Sequence, residues 1–499
     1  MDLLANLALG IGVAFTPANL GFCLAGALLG TLIGVLPGLG PVATVALLLP
    51  ITFTLPPVGA LIMLAGIYYG AQYGGSTSAI LVNLPGESSS VITCLDGYQM
   101  ARQGRAGQAL AIAAIGSFFA GTVMTLAIAL FGPLLTALAK QFGSAEYFAL
   151  MTLGLVATIV LASGSVLKAV GMIFLGLLLG MVGTDVNSGA QRFTFGVAEL
   201  SDGIGFVPLA MGLFGLSEVI YNLERPERRD VLSGKLTGLM PSWRDLKACF
   251  PPILRGTAIG GVLGVLPGGG AVLSSFAAYT IEKRIARDPS RFGRGAIEGV
   301  AAPEAANNAG AQASFIPLLT LGIPANPVMA LMVGAMMIQG IAPGPQVMST
   351  QPDLFWGMIA SMWAGNLMLI VINLPMIGLW VRLLRVPYRL LFPAILTFCA
   401  IGVYSLNNSL FEVALMALFG LAGYLFLKLE CEPAPLLLGF VLGPMMEENL
   451  RRALLLSRGD PMVFAHRPIS AGLLALAAVI LVVAVLPAIR RKRQDVFVE

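Results

Sequence analysis

The heptapeptide Gly34-Val-Leu-Pro-Gly-Leu-Gly40 returns as Gly264-Val-Leu-Pro-Gly-Gly-Gly270, 230 residues further along the chain. The same offset pairs two glycines upstream of each copy, Gly26 with Gly256 and Gly30 with Gly260. Self-similarity at a fixed spacing is the signature of an internal duplication. The sequence therefore predicts two homologous copies of one structural unit.

The duplication covers most of the chain, at offsets that insertions change. Further matched positions are Ser117 with Ser361, Gly121 with Gly365, Gly176 with Gly420, and Gly212 with Gly439. We expect a first membrane repeat at 17–221, a cytoplasmic connecting loop at 222–246, a second membrane repeat at 247–450 and an extra C-terminal span at 468–488. Repeats of this kind in transporters often have inverted topology, and we expect inversion here.

The composition is that of a membrane protein. Hydrophobic residues make up 57% of the chain and charged residues 11%, against about 25% charged in soluble domains. The first 95 residues hold two charges, Asp2 and Glu87. At roughly 20 residues per span, we predict an all-α polytopic integral membrane protein with about 12 spans and broken helices. Candidate spans centre on 19–36, 57–83, 108–137, 146–162, 166–184, 203–221, 253–267, 311–340, 354–380, 390–407, 410–427, 433–446 and 469–487.

The charges lie mostly in the connections between spans. The net charge is +4, and the basic residues cluster in the central loop, at 283–294 and at 490–493. This pattern is typical of topogenic cytoplasmic charge and does not indicate nucleic-acid binding. Residues 1–30 contain no Lys or Arg, so we expect no cleaved signal peptide. The five cysteines have no CxxC spacing, which argues against a disulfide framework or a metal site.

Several classes of protein are poorly supported. The chain has no GxxxxGK[ST] motif, so any energy source is an ion gradient or a separate ATPase subunit. Its one histidine, His466, gives little basis for a hydrolytic triad or a histidine metal site. An intramembrane aspartyl protease would need two aspartates within spans, whereas Asp96, Asp185 and Asp202 lie near span ends. We therefore expect no enzymatic activity.

Each heptapeptide contains a Pro-Gly pair and a further glycine that we assign to the site: Pro37, Gly38 and Gly40 in copy one, and Pro267, Gly268 and Gly270 in copy two. In hydrocarbon a helix is broken only where the freed backbone groups are buried in protein or line a wet cavity. We expect these breaks to bring backbone groups close to a substrate. For the upstream glycines an alternative is open, because small residues four positions apart also allow close helix packing.

After each heptapeptide come hydroxyl and amide side chains and a second Pro break. The candidate site residues there are Ser76, Thr77, Ser78 and Asn83 in copy one, and Asn307, Asn308, Pro324 and Asn326 in copy two. Oxygen-rich clusters at unwound helices suit Na⁺, and the N–H groups of helix N-termini suit an anionic substrate. We expect a Na⁺ site at Ser76, Thr77 and Asn308, with H⁺ as the alternative coupling ion and no other cofactor.

Glu304 is the most informative single residue. An acid beside a long uncharged stretch is costly unless it is paired or functional, and Asn307 and Asn308 follow it by three and four positions. The alternative is an acid at the membrane boundary that caps a helix after Pro303. Two interpretations are also open for Glu87: a functional acid of the site, or an anion at the start of a helix in a solvated loop.

Taken together, these motifs resemble the large membrane subunit of the tripartite tricarboxylate transporters, the TctA family. The resemblance covers nearly the whole chain, through segments 17–20, 34–41, 69–87, 96–100, 264–270 and 303–308. It implies a multi-pass secondary transporter of the bacterial inner membrane that imports citrate or related organic carboxylates on a cation gradient. It also implies two partners, a small four-span membrane subunit and a periplasmic solute-binding protein.

Two other classes stay open, a permease or channel subunit driven by a separate ATPase and an enzyme of lipid-linked substrates. The topology also contains a conflict. Inverted copies with a periplasmic N-terminus place residues 451–467 outside the cell. Four arginines would then violate the positive-inside tendency, namely Arg451, Arg452, Arg458 and Arg467.

Overall fold

The computed structural model describes residues 3–36, 39–161, 165–185, 187–224, 239–266, 270–384, 386 and 388–485. In these ranges the chain is almost wholly helical. The α-helices are α1 Leu3–Ala14, α2 Pro17–Gly34, α3 Pro41–Leu48, α4 Pro57–Val82, α5 Val91–Thr93, α6 Gln99–Arg102, α7 Ala106–Ala139, α8 Ser144–Leu161, α9 Val166–Gly180, α10 Phe206–Ala210, α11 Ser217–Glu224, α12 Trp243–Val265, α13 Gly270–Ile285, α14 Glu298–Ala313, α15 Phe315–Leu321, α16 Pro327–Ile338, α17 Val347–Thr350, α18 Pro352–Asn373, α19 Ile377–Leu384, α20 Tyr388–Asn407, α21 Leu410–Lys428, α22 Ala434–Leu456, α23 Val463–His466 and α24 Pro468–Val485.

Short non-α elements interrupt the helices. Two π-helical segments, Cys94–Tyr98 and Met211–Leu216, join α5 to α6 and α10 to α11. One antiparallel hairpin pairs β1, Gly183–Thr184, with β2, Gln191–Arg192. Within the described ranges, 3-10 turns lie at Leu49–Thr54, Ser88–Ser90, Ala198–Leu200 and Pro289–Arg291.

Six helical segments in the described part of the chain are long and apolar enough to cross a bilayer: α2, α7, α10 to α11, α12, α18 and α21. Seven shorter apolar segments accompany them. The chain is therefore an all-α polytopic membrane protein, as its composition predicts. Most of the connecting loop predicted at 222–246 lies outside the described residues; at its two ends, α11 extends to Glu224 and α12 begins at Trp243.

The span predictions differ from the helices in several places. The predicted span 311–340 consists of α15 and α16, which residues 322–326 separate. Helix α13 was not predicted, because Glu282, Lys283 and Arg284 in its last turn lower its apolar character. Helices α1 and α3 were not predicted either, since they have 12 and 8 residues and a bilayer span needs about 20.

Glycines allow α2 and α4 to pack backbone against backbone. A Cβ atom on Gly26 would collide with the carbonyl oxygen of Met63, and one on Gly30 with that of Ile67. Gly34 has the same relation to Ala71, so contacts advance along both helices together and the two helices run parallel. These contacts favour the packing interpretation of the upstream glycines.

The second copy repeats this arrangement in α12 and α14. Added Cβ atoms on Gly256 and Gly260 would collide with the carbonyl oxygens of Ala302 and Ala306. A Cβ on Gly264 would likewise meet the backbone of Gly310. The helix pair therefore also runs parallel, with glycines at the positions that the sequence offset predicts.

The breaks after α4 and α15 share one backbone conformation. Asn83 and Gly322 end these helices in the left-handed region, at φ 56° and 73°. Four residues later Glu87 (φ −148°, ψ 161°) and Asn326 (φ −153°, ψ 172°) are extended and begin the next helical segment. The sequences between them, Leu84-Pro-Gly and Ile323-Pro-Ala, correspond residue by residue.

The charged contacts lie at two ends of the helical bundle. At one end, which we call the basic end, Gln103 Nε2 donates to the Arg294 carbonyl oxygen at 2.8 Å, so the loop before α7 meets the loop before α14. Helix α7 runs 34 residues away from this end. Near its far end, Glu146 at the start of α8 pairs with Arg467 at 3.1 Å.

The hairpin after α9 lies at that far end and carries an ion-pair network. Asp185 contacts Arg192 at 2.6 Å and Arg451 at 3.0 Å, and Arg451 also contacts Glu447 at 2.7 Å. Hydrogen bonding from the Ser188 hydroxyl, together with these arginines, lowers the pKa of the Asp185 carboxyl. Three of the four arginines in the topology conflict are thus paired with acids, since Arg452 also pairs with Glu448.

Candidate ion and substrate site

Polar side chains join α4 of the first copy to α14 of the second. The Tyr69 hydroxyl donates to Gln312 Oε1 at 2.8 Å, and the Ser76 hydroxyl donates to Glu304 Oε2 at 2.6 Å. From Tyr69 to Ser76 the residue number increases along α4, whereas it decreases from Gln312 to Glu304 along α14. The two helices therefore cross antiparallel, with a polar seam between them.

Glu304 lies fully inside this seam. Its carboxylate accepts from Ser76 and, at 2.5 Å, from the Thr93 hydroxyl, and the residue is 1% exposed. Within the described chain, no Lys, Arg or His nitrogen forms a salt bridge with it. Helix α14 is continuous through Pro303, so the boundary-cap interpretation of Glu304 is wrong.

A second buried carboxylate approaches the same helix. Asn307 Nδ2 donates to Glu87 Oε1 at 2.9 Å, and Glu87 is 7% exposed. In the amide orientation that satisfies its neighbours, Gln72 donates to Glu87 Oε2 at 2.7 Å. Glu87 begins a 3-10 turn in a capping box with Ser90, but its side chain is buried, so the alternative of an anion in a solvated loop is wrong for this residue.

Asn308 faces a different partner from Asn307. Its Nδ2 donates to the Ser117 hydroxyl at 2.6 Å and to the Glu304 carbonyl oxygen at 3.1 Å. The three residues of α14 predicted to share one face thus reach three neighbours, namely α4, the break after α4, and α7. Polar contacts from one helix of the second copy therefore reach three elements of the first.

The hydroxyl cluster of copy one lies in intact helix. Thr77 and Ser78 donate to the carbonyl oxygens of Tyr73 and Gly75 within α4, and the Ser76 hydroxyl oxygen, whose proton goes to Glu304, lies 3.1 Å from the Gln72 carbonyl oxygen. The expectation that these residues stand at an unwound helix is wrong, because the break comes later, at the exposed Asn83. Helix α4 keeps its own hydrogen bonds there, and the hydroxyl oxygens retain lone pairs for a ligand.

The breaks themselves contact one another within each copy. Gly40 lies near the Gly86 carbonyl oxygen, and Gly270, at φ 43°, lies near the Asn326 side chain. Asn326 caps α16 by accepting from the Met329 N–H at 3.0 Å, and Pro324 beside it is buried. The remaining predicted site residues, Pro37, Gly38, Pro267 and Gly268, lie outside the described residues.

Sequence reasoning missed several members of the seam. Thr93 and Gln72 are isolated polar residues in connecting or apolar segments, Gln312 belongs to the amide-containing stretch of copy two but was not assigned to the site, and Ser117 was noted only as a matched position of the repeat. Each could be recognised only from its position in three dimensions. Among the described residues, no group of three His, Cys, Asp or Glu side chains could hold a metal ion, and the five cysteines are free.

Asp96 forms another contact between the copies, at the basic end. Its Oδ1 accepts from the backbone N–H groups of Gly293, Gly295 and Ala296 at 2.8–2.9 Å. The Tyr279 hydroxyl donates to its Oδ2 at 2.9 Å. This fully buried carboxylate fixes the loop between α13 and α14 against the π-helical segment of copy one.

An all-α polytopic chain with glycine-packed helix pairs, paired Pro breaks and buried carboxylates is a membrane protein of the transporter class. The sequence profile of the tripartite tricarboxylate transporter TctA family matches residues 20–438. The chain belongs to this family, which is one of transporters rather than enzymes.

Two curated relatives come from Agrobacterium vitis. One is described as an uncharacterized 52.8 kDa protein in the TAR-I ttuC' 3' region and is 61% identical over 499 residues, which cover 100% of this chain and 99% of the relative. The other is an uncharacterized protein in the TAR-II ttuC' 3' region. It is 62% identical over 240 residues, 48% of this chain and 99% of the relative. No solved structure gives a significant match.

Proposed function

We propose that this chain is the large transmembrane subunit of a binding-protein-dependent secondary transporter of the bacterial inner membrane. It imports tricarboxylates or related organic acids by symport with a cation, Na⁺ in preference to H⁺. Its partners are a small four-span membrane subunit and a periplasmic solute-binding protein. Membership of the TctA family supports this assignment.

One observation carries the proposal of ion coupling. Glu304 and Glu87 are buried in the seam between the copies, and in the described chain neither forms a salt bridge with a basic side chain. An ionised carboxylate inside a membrane protein is costly unless a cation or proton neutralises it. A site that needs a cation to become neutral is suited to coupling ion binding to transport. In this proposal Ser76, Thr77 and Asn308 contribute oxygen atoms around the ion.

The substrate is assigned to the paired breaks. Helix α16 has 12 residues and begins at Pro327, directly after its N-cap residue Asn326, so its first N–H groups and partial positive charge can face an anion. Of the predicted break residues that the structure describes, Gly40 lies near the Gly86 carbonyl oxygen and Gly270 near the Asn326 side chain, close to the second breaks that hold Asn83 and Pro324. Pro37, Gly38, Pro267 and Gly268 are kept in this assignment from the sequence alone. Carboxylate groups of an organic acid are the ligands that such N–H groups favour.

Two inverted repeats would support alternating access around this site. Helices α2 and α4 run parallel, α12 and α14 run parallel, and α4 crosses α14 antiparallel. These directions support opposite orientations for residues 17–221 and 247–450. The concentration of Lys and Arg at the basic end supports placing that end in the cytoplasm.

Acid pairing at the far end weakens the topology conflict. If that end is periplasmic, Arg451, Arg452 and Arg467 lie outside, but each is paired with an acid. The runner-up function is a permease or channel subunit driven by a separate ATPase.

The deciding experiment is uptake in proteoliposomes that contain this chain and its two partners, with a panel of organic acids. We expect accumulation driven by an inward Na⁺ gradient without ATP. Uptake that survives collapse of every ion gradient while ATP is present would support the runner-up function.

A further inference from the structure

A small polar cavity lies between α4, α7, α14 and the end of α18. It has a volume of about 10 Å³ for a water-sized sphere, room for roughly one water molecule or one small ion. Its polar lining consists of Tyr73, Ser76, Thr77, Ser117, Glu304 and Asn373. The carboxylate of Glu304 is the one formal charge in that lining.

Two oxygen atoms of the lining residues have no hydrogen-bond partner within the described structure. Asn373 donates from Nδ2 to the Leu369 carbonyl oxygen at 2.9 Å, which leaves its Oδ1 unpaired. The Tyr73 hydroxyl is also unpaired. Both residues are 4% exposed. Buried polar atoms nearly always have a partner, so two orphaned oxygens beside one carboxylate indicate a missing ligand.

The charge and the volume of the cavity restrict that ligand. A divalent cation would leave a net positive charge beside a single carboxylate, whereas a monovalent cation gives a neutral site. Hard cations take hydroxyl, amide and carboxylate oxygens as ligands, and these are the groups present. We infer that Asn373 Oδ1 and the Tyr73 hydroxyl bind a monovalent cation together with Glu304, and that Na⁺ is this cation.

Asn373 is a ligand that the sequence did not indicate. It ends α18, which belongs to the second copy, whereas Tyr73 and Ser76 belong to the first. Ion binding would therefore draw together three helices from both copies. This inference rests on the proposed cation symport and places its ion in this cavity, which Ser76 and Thr77 line and Asn308 does not.

The test measures ion binding separately from transport. The purified full-length protein is unfolded thermally in increasing NaCl, with choline chloride holding the ionic strength constant. A ligand that binds the folded state raises the midpoint temperature with its concentration. We expect wild type to show a saturable Na⁺-dependent rise. We expect Asn373→Ala to need a Na⁺ concentration about 10-fold higher for the half-maximal rise in midpoint temperature, because one ligand of the ion is lost. Glu304→Gln should show no Na⁺-dependent rise.

Matched controls separate ligand loss from general damage. Asn366→Ala changes the same residue type in the same helix, also buried but outside the cavity lining, and should keep the wild-type Na⁺ dependence. If Asn373→Ala fails to fold, Tyr73→Phe removes one oxygen while keeping the ring. Tyr69→Phe is its control, since the Tyr69 hydroxyl donates to Gln312.

The outcomes separate this inference from the proposed function. The ion site is overturned if the midpoint temperature of wild type does not rise with Na⁺, or if Asn373→Ala and Asn366→Ala show the same Na⁺ dependence, even if organic acids are transported. A water molecule would then fill the cavity. A rise that Asn373→Ala selectively weakens supports the site, even if the reconstituted complex transports no organic acid.

Discussion

The Ser76 hydroxyl and the Glu304 carboxylate are hydrogen-bonded at 2.6 Å across 228 residues of sequence. This bond connects the last third of α4 to the middle of α14, and so it connects the two copies of the duplicated unit. A motion that separates the copies has to break it or carry both partners along. The ion proposed beside Glu304 would therefore influence how the copies move relative to each other.

Glu304→Gln and Asn308→Ala should each abolish uptake while membrane insertion stays intact. The first change removes the charge that a cation would neutralise, and the second removes the bond to Ser117. Uptake in proteoliposomes and the amount of protein in the membrane fraction are the two measurements. Glu298→Gln is a control on the same helix, because Glu298 pairs with Arg291 at the basic end. Near-normal uptake in both variants would remove this site from the mechanism.

Uptake should require Na⁺ rather than ATP. The seam offers hydroxyl, amide and carboxylate oxygens, and the chain has no P-loop. Initial rates are measured with an inward Na⁺ gradient, then with choline in place of Na⁺, and then with ATP and no gradient. Full activity in Na⁺-free medium on a proton gradient would assign protons to Glu304 instead.

Asp96→Ala should destabilise the protein by on the order of 3 kcal/mol, because buried N–H groups would lose their acceptor. Gly293, Gly295 and Ala296 all donate to this one oxygen. The measurement is thermal unfolding of the purified protein, and Asp202→Ala at the far end is the control. An unchanged midpoint temperature would mean that water or another group replaces the carboxylate.

The sequence predicted those features that depend on the backbone conformation of a few neighbouring residues. The glycine spacing of α2 and α12 indicated close helix contacts as one of two interpretations, and the Pro breaks near Asn83 and Gly322 were recognisable from residue types. Side-chain partners were not predictable in this way. Thr93 and Ser117 reach Glu304 and Asn308 only because distant helices pack together. Pro303 suggested a break, yet α14 continues through it, since packing on both sides outweighs the loss of one helical donor.

Gly30→Val and Gly260→Val should each prevent accumulation of folded protein. In both positions a Cβ would overlap a carbonyl oxygen of the partner helix, and that backbone atom cannot move as a flexible side chain could. Fluorescence-detected size-exclusion chromatography of tagged variants provides the measurement. Gly12→Val and Gly171→Val are controls, because nothing lies within 4 Å of a Cβ at either position. A monodisperse peak of normal height for Gly30→Val would contradict the close packing of α2 on α4.

The last prediction concerns the inversion of the two repeats. Ala18 near the start of α2 and Ala248 near the start of α12 are matched at the offset of 230 residues, and both are exposed. Helix α2 is parallel to α4, α12 is parallel to α14, and α4 is antiparallel to α14. Helices α2 and α12 therefore begin at opposite membrane faces, and so the two alanines lie toward opposite faces. Cysteines placed singly at the two positions, in a background without the five native cysteines, should react with an impermeant thiol reagent from opposite sides. Ser89 and Asn326, beside the Pro breaks, are unsuitable reporters because both are buried. Labelling of each variant after permeabilisation controls for reactivity. Reaction of both cysteines from the same side would make the repeats parallel, and a site shared between inverted copies would then have to be abandoned.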